Sequence, residues 1–230
     1  MPHGGPYGVR DYSEYNDWVQ LLANRGYAVL QPNFRGSCGF GEAFERLGDG
    51  EIGRGMQDDL DDARQWAVDG GYADPQRICL VGASYGGYAA LWGVVRNPEL
   101  YRCAASFAGV TDWEAILAYD RDYLGRGYMN KEWYRRIWRP RIEGQDSDLR
   151  ELSLTETIGR LDRPILVAHG TDDLRVPFSQ FEKLVAAAEK RGKDIETLVL
   201  EDDHNLRDEV NEHKLLERLV SFLKEHNPAD

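Results

Sequence analysis

Ser84 lies at the centre of a Gly-x-Ser-x-Gly pattern, the arrangement in this sequence that is most typical of a nucleophile. The pattern GASYG occupies positions 82–86, follows the short apolar run Arg77–Gly82 and precedes the helical pattern Gly87–Val95. A serine between small residues at a strand-to-helix turn projects its hydroxyl from the carboxyl edge of a sheet. We therefore predict that Ser84 attacks a substrate carbonyl.

A serine hydroxyl needs a general base, most often a histidine that a carboxylate holds in one orientation. Where such a serine turn is used, the acid and then the histidine follow the serine along the chain. His204 follows the last apolar run, Ile195–Leu200, in a loop that can lie over Ser84. We predict that His204 is the base. The other histidines after the serine are expected to be structural or to belong to the last helix: His169, His213 and His226.

The acid is expected in the loop after the preceding apolar run, Pro164–His169. That loop, GTDDLRVP at positions 170–177, contains two adjacent aspartates, Asp172 and Asp173. The pattern alone does not distinguish between them.

The negative charge that develops on the substrate oxygen requires two preorganised N–H donors. One is expected from Tyr85, the residue after the nucleophile, and the other from a glycine-rich loop that follows an earlier strand. The sequence HGGP at positions 3–6 has that composition. We predict Gly5 as the second donor.

Five short apolar runs alternate with helical patterns, which predicts one domain over residues 1–230, with a mainly parallel sheet and helices on both faces. The predicted strands are Tyr27–Pro32, Arg77–Gly82, Cys103–Phe107, Pro164–His169 and Ile195–Leu200. The predicted helices are Tyr12–Arg25, Gly55–Val68, Gly87–Val95, Phe178–Arg191 and Glu209–Glu225.

The segment 111–161 departs from this alternation because it has no strand pattern and many aromatic residues. An insertion of this length in an α/β domain is usually a lid or a pocket wall, although some rings are expected only to pack on the sheet. Its aromatic residues are Trp113, Tyr119, Tyr123, Tyr128, Trp133, Tyr134 and Trp138.

The net charge of −12, from 28 basic and 40 acidic residues, argues against a nucleic-acid partner. No apolar run approaches the roughly 18 residues that a membrane span requires, and residues 1–6 do not resemble a signal sequence. Acidic residues near the start of the predicted helix Gly55–Val68 suit its dipole, and we expect them to be solvated rather than to bind a metal.

The chain has three cysteines, Cys38, Cys79 and Cys103. Because the number is odd and two of them lie in apolar runs, we predict buried free thiols rather than disulfides. Free thiols favour a reducing compartment, so we expect a cytoplasmic protein.

Taken together, these motifs resemble the catalytic domain of the prolyl oligopeptidase family of serine peptidases, particularly its acylaminoacyl-peptidase and dipeptidyl-peptidase branch. The resemblance covers essentially the whole chain and is strongest in GASYGGY at positions 82–88. The other matching blocks are HGGP at 3–6, PNFRGS at 32–37, GFG at 39–41, HGT at 169–171, VP at 176–177 and DH at 203–204. It implies an α/β-hydrolase fold, no metal or cofactor, and a peptide or acyl-amino-acid amide as substrate, with small carboxylic esters as the alternative.

The resemblance also implies roles for individual residues. The family spacing His-Gly-x-x-Asp-x-x-Val-Pro selects Asp173 rather than Asp172 as the acid. Arg175 would hydrogen-bond a substrate carbonyl. The slot for the acyl-side residue next to the scissile bond would be lined by Tyr85, Val110, Trp113 and Ile116.

Two features depart from the family. Its N-terminal β-propeller and the first strands of its sheet do not match any part of this sequence, and one of those strands would lie between Tyr27–Pro32 and Arg77–Gly82. Either these two strands pair directly, or another chain or copy fills the gap, or the sequence is a fragment of a longer protein, which we favour. A folded module without catalytic activity is the alternative to an enzyme.

Overall fold

A parallel sheet carries the residues that the sequence predicts to be catalytic. The computed structural model describes residues 1–123, 141–142 and 149–229. The strands are β1 (Cys79–Ala83), β2 (Cys103–Phe107), β3 (Ile165–Gly170) and β4 (Glu196–Leu200). They lie in the order β1-β2-β3-β4, and every neighbouring pair is parallel. Four of the five predicted strands are therefore confirmed, each to within two residues at its ends.

Helices cover both faces of this sheet, as predicted. On one face, Met56, Leu91 and Leu184 belong to a large apolar core. On the other face, Leu22 and Phe222 belong to a smaller core that includes side chains of β1, β2 and β3. The helices are α1 (Asp17–Asn24), α2 (Glu42–Arg46), α3 (Gly55–Asp69), α4 (Tyr85–Arg96), α5 (Trp113–Tyr123), α6 (Leu154–Thr157), α7 (Ser179–Lys190) and α8 (Glu209–His226).

The first helix begins later than the predicted Tyr12. The side chain of Asn16 accepts a hydrogen bond from the N–H of Val19 (3.0 Å), which caps the helix so that it starts at Asp17. Tyr15 consequently lies outside the helix and is exposed.

The predicted strand Tyr27–Pro32 is wrong, because these residues form no strand. A groove of about 610 Å³ lies between them and β1, with Val29 on one side and Leu80 on the other. A strand requires a neighbour that supplies a ladder of hydrogen bonds. Instead, the carbonyl of Leu30 accepts a hydrogen bond from the amino group of Met1 (2.6 Å). Of the three alternatives for this gap, direct pairing of the segment with β1 is therefore not observed.

The prediction of free thiols is wrong for two of the three cysteines. Cys79 and Cys103 are register partners on β1 and β2 and form a disulfide, with their Cα atoms 4.7 Å apart. Cys38 is free. The thiol argument for a cytoplasmic location therefore loses its basis. Within the described ranges, no helix combines the length and the apolar character that crossing a membrane requires.

The described residues of the insertion 111–161 contain helices and no strand, as predicted. Trp113 is fully buried and packs edge-to-face on Tyr88 of α4, with ring centroids 4.9 Å apart. This ring therefore belongs to the core. Four of the aromatic residues of the predicted lid or pocket wall lie outside the described residues: Tyr128, Trp133, Tyr134 and Trp138.

Candidate active site

Ser84 occupies a strained turn between β1 and α4. Its φ of 57° lies in the left-handed region, which residues other than glycine rarely adopt. The N–H of Ser84 donates to the carbonyl of Phe107 on β2 (2.9 Å), which fixes the turn to the sheet. A side chain at Gly82 would collide with the backbone of Gly86. The turn therefore closes only with small residues on both sides of the serine.

Asp173 and His204 meet in the loops that follow β3 and β4. Nδ1 of His204 donates to Oδ2 of Asp173 at 2.7 Å. The other carboxylate oxygen, Oδ1, accepts the N–H groups of Arg175 and Val176 at 2.8 Å each. Asp173 is buried, whereas Asp172 is exposed. The geometry therefore favours Asp173 as the group that orients the imidazole.

The environment of Asp173 keeps its carboxylate ionised. Burial by itself raises the pKa of Asp173, but the hydrogen bonds from His169 and His204 outweigh this effect and hold the pKa well below its usual range. His169 has a structural contact as well, because its Nε2 lies 2.8 Å from the carbonyl oxygen of Val176. The second histidine thus ties the acid to its own loop.

The free energy of unfolding is expected to depend on Asp173 in acid. A carboxyl group whose folded pKa lies below its ordinary value of 3.8 stabilises the fold above that pH. The stabilisation is lost as the pH falls through the folded value, by about 1.4 kcal/mol for each unit of pKa difference. Urea unfolding near pH 7 and near pH 3 measures this loss. The wild type should lose more stability on acidification than Asp173→Asn, and equal losses would contradict the prediction.

The loop that carries His204 is shaped by Asp202, a residue that the sequence analysis did not single out. Oδ1 of Asp202 accepts the N–H groups of Asp203 (2.8 Å) and Arg207 (3.0 Å), and Oδ2 accepts the N–H of Asp208 (3.1 Å). Asp202 is buried. Aspartates that accept hydrogen bonds from nearby backbone groups are common in loops, so the pattern alone did not reveal this role.

Replacing Asp202 by alanine is expected to lower kcat/KM for an acyl ester by about 10- to 100-fold, because a displacement of about 1 Å at a catalytic group is enough for such a loss. The loop would lose three N–H contacts, and His204 would move. Glu201→Ala, at the exposed neighbouring position, is the matched control and should remain close to wild type. Wild-type kcat/KM in the Asp202→Ala variant would show that the loop holds its shape without this carboxylate.

The glycine loop at positions 3–6 lies against the serine turn. A Cβ at Gly4 would lie 3.9 Å from Oγ of Ser84, and Gly5 lines the same pocket as Ser84. Tyr85 begins α4, so its N–H has no partner within the helix. Both residues predicted to bind the oxyanion are therefore adjacent to the nucleophile.

His3 anchors this loop. Its ring stacks on Phe34 with centroids 4.3 Å apart, and its Nε2 lies 2.7 Å from Oγ of Ser37. Burial lowers the pKa of His3, which disfavours a charged imidazole at this position. The segment 34–37 thus supports the loop from the side.

A small pocket of about 20 Å³ opens beside Ser84. It brings together every residue that the resemblance implied for the acyl-side slot, namely Tyr85, Val110, Trp113 and Ile116, together with Arg175. The pocket also contains Asp120 and Val176, which the sequence analysis did not assign to it. Asp120 follows Trp113 by seven residues, which is two helical turns, so the two residues lie on the same face of α5. This spacing is the sequence signal that could have identified Asp120.

The described residues include no hydrogen bond between Oγ of Ser84 and His204, so only the Asp173–His204 half of the predicted triad is joined. Catalytic hydrogen bonds are often long in the absence of substrate and tighten when it binds.

One group of described residues, Glu196, Glu225 and His226, has ligand atoms close enough together for a metal ion. Glu196 already pairs with Arg218 through one oxygen and with His226 at 2.8 Å through the other. Both oxygens of the Glu196 carboxylate therefore already have protein partners, and the group is a network of side-chain contacts.

Comparison with known families matches residues 13–228 to the prolyl oligopeptidase family. The chain is 34% identical to dipeptidyl aminopeptidase BIII of Pseudoxanthomonas mexicana, over 88% of this chain and 29% of that protein. It is 32% identical to dipeptidyl peptidase family member 6 of Caenorhabditis elegans, over 98% of this chain and 30% of that protein. The chain thus spans about a third of the length of these relatives.

Solved structures show the same fold. A puromycin-hydrolyzing peptidase of Mycobacterium tuberculosis superposes with a TM-score of 0.86 at 25% identity, over 98% of this chain and 33% of that one. The acylaminoacyl peptidase of Pyrococcus horikoshii superposes with a TM-score of 0.81 at 23% identity, over 99% of this chain and 36% of that one. The predicted α/β-hydrolase fold is therefore confirmed.

Proposed function

Because the chain belongs to the prolyl oligopeptidase family, we propose that it is a serine peptidase domain that cleaves peptide or acyl-amino-acid amide bonds through Ser84, His204 and Asp173. The observation that carries the proposal is the 2.7 Å hydrogen bond from His204 to the buried carboxylate of Asp173. Both residues lie in loops at the carboxyl edge of the sheet, which is also the edge that bears the Ser84 turn.

In the proposed reaction, Oγ of Ser84 attacks the substrate carbonyl carbon while Nε2 of His204 accepts the hydroxyl proton. Asp173 stabilises the resulting imidazolium through Nδ1. The N–H groups of Gly5 and Tyr85 bind the negative oxygen of the tetrahedral intermediate. His204 then protonates the leaving amine, and an acyl group remains on Ser84. Water activated by His204 releases the acid and regenerates the serine.

Small carboxylic esters are the second candidate substrates. Ester cleavage depends less on an aligned proton donor than amide cleavage, because an alkoxide or phenoxide is a better leaving group than the anion of an amine. An imperfectly aligned triad would therefore retain more esterase than amidase activity.

A module without catalytic activity is the competing proposal. The groove between segment 27–32 and β1 favours it, because no described strand pairs with this edge of β1. We propose that a further polypeptide segment fills this groove. That segment would come either from a longer protein with a further N-terminal domain or from a second copy of this chain.

Labelling with a fluorophosphonate probe distinguishes an assembled site from an inactive one, because the probe reacts only when nucleophile, base and oxyanion donors act together. The purified chain is expected to be labelled and to hydrolyse a p-nitrophenyl acyl ester. A peptide 4-nitroanilide measures the amidase activity in parallel. A chain that is folded by circular dichroism but stays unlabelled would support the inactive module instead.

A further inference from the structure

We propose that Gln180 is a positioning residue that fixes the wall of the acyl-side pocket and thereby restricts the pocket to small residues such as alanine. The wall is the segment 110–113, which contributes Val110 and Trp113 to the pocket. The inference rests on the proposed function, because it takes the pocket beside Ser84 as the place where the residue before the scissile bond binds. It deepens that function by assigning a size class of substrate.

The side chain of Gln180 makes three hydrogen bonds to the backbone of the wall. Its Oε1 accepts the N–H groups of Thr111 and Asp112, at 2.8 Å each. Its Nε2 donates to the carbonyl of Asp112 at 3.1 Å. Because two N–H donors face one end of the amide, that end must be the oxygen, so the partners fix the orientation of the side chain. Gln180 is 1% exposed, which keeps water from competing for these contacts.

The wall itself is buried and begins after a strained residue. Ala108, which follows β2, has a φ of 49°, in the left-handed region that only well-fixed surroundings maintain. Val110 and Trp113 are both buried. The hydroxyl of Thr111 donates to the backbone carbonyl of Gln180 (2.6 Å), so the wall is bonded to the main chain of α7 as well as to the side chain. The position of the wall therefore depends on α7.

Gln180 joins two segments that line the pocket. Val176, at the end of the loop that bears Asp173, lines the same pocket and precedes Gln180 by four residues. The wall also has a separate contact, because the N–H of Trp113 donates to Oγ of Ser153 (2.9 Å). This contact remains when Gln180 is replaced, so we expect such a variant to fold.

The selectivity follows from the size of the pocket and from how firmly the wall is held. A volume of about 20 Å³ has room for about one water molecule, which is close to the size of a methyl group. The side chain of alanine fits this space, whereas a benzyl group displaces the lining. Displacement of the wall breaks its hydrogen bonds to Gln180, and the buried N–H of Thr111 then loses its acceptor, which is unfavourable. Small acyl-side residues are therefore preferred.

The experiment compares the N-acetyl 4-nitroanilides of alanine, norvaline and phenylalanine. The matching 4-nitrophenyl esters give the same comparison if the chain cleaves only esters. We expect wild-type kcat/KM to be at least about tenfold higher for alanine than for phenylalanine. In Gln180→Met, which nearly keeps the shape of the side chain but lacks its amide, this ratio should fall by about fivefold or more. Gln20→Met, the same substitution at an exposed position on α1, is the matched control and should keep the wild-type ratio.

A wild-type alanine-to-phenylalanine ratio of about one or less would overturn the inference. An unchanged ratio in folded Gln180→Met would also overturn it, because a merely structural role lowers stability, or lowers kcat/KM equally for all three substrates. If circular dichroism shows that Gln180→Met is unfolded, Thr111→Val decides the question. That variant removes only the hydroxyl contact with α7 and should lower the ratio by about twofold or more, and an unchanged ratio would count against the inference.

Failure of the proposed function looks different from failure of the inference. In the first case no substrate is hydrolysed and Ser84 stays unlabelled by the fluorophosphonate probe, and the inference falls with it. Hydrolysis and labelling without a preference for alanine overturn the inference alone.

Discussion

Replacing Ser84 by alanine is expected to abolish hydrolysis of both esters and amides, with kcat falling by about 10⁴-fold or more. The substitution removes the oxygen that forms the acyl-enzyme and leaves the backbone of the turn between β1 and α4 and the Asp173–His204 pair in place. Fluorophosphonate labelling should disappear together with activity. Steady-state hydrolysis of a p-nitrophenyl acyl ester and gel detection of the probe measure the two effects independently.

Ser221→Ala is the matched control, because Ser221 is an exposed serine on α8. It should be labelled and active like the wild type. Comparable thermal unfolding of both variants would show that the loss in Ser84→Ala is chemical. Turnover that survives in Ser84→Ala would mean that another group is the nucleophile and would refute the central assignment.

Asp173→Asn is expected to lower kcat by about 10⁴-fold, whereas Asp172→Asn should change it less than about threefold. An amide at position 173 would offer an N–H where His204 requires an acceptor, which favours the wrong tautomer of the imidazole. Asp172 is exposed, and its backbone N–H donates a hydrogen bond to the carbonyl of Asp202 (3.0 Å). Its side chain therefore has little to contribute.

Asp172→Asn and Asp173→Asn are matched controls for each other, because both remove one negative charge and the two positions are adjacent. Initial rates with an ester and with a peptide 4-nitroanilide are the measurement. A severe loss in Asp172→Asn with a mild one in Asp173→Asn would reverse the assignment. Equal and mild losses in both would indicate that His204 is oriented without a carboxylate.

The glycine loop at positions 3–6, which carries the predicted oxyanion donor Gly5, contacts both segment 34–37 and the turn that bears Ser84. The family resemblance predicts that the glycine loop at positions 3–6 is positioned by a strand that precedes it. The stack of His3 on Phe34 and its contact with Ser37 instead hold the loop from the side. The backbone of Pro2 passes close to Gly86, where a side chain would collide with it. With these contacts, Gly5 lies beside Ser84 although a groove, and no described strand, lies next to β1.

The sequence by itself determined the four strands that pair, the turn that holds Ser84 and the loops that carry Asp173 and His204. These features depend on neighbours along the chain: apolar runs, small residues around the serine, and loops that directly follow strands. Choosing between Asp172 and Asp173 needed more, namely the family spacing. In the structure, one of the two carboxylates is buried and the other is exposed.

Only the tertiary structure decided the features that depend on pairing between distant segments. Segment 27–32 has strand composition but forms no strand, because a ladder requires a partner in space. Cys79 and Cys103 form a disulfide because two strands align in register, which an odd count of cysteines does not reveal. Asp120 and Arg175 meet because α5 packs beside the loop that bears Asp173. Local sequence encodes local geometry, whereas register and packing arise only when separate segments come together.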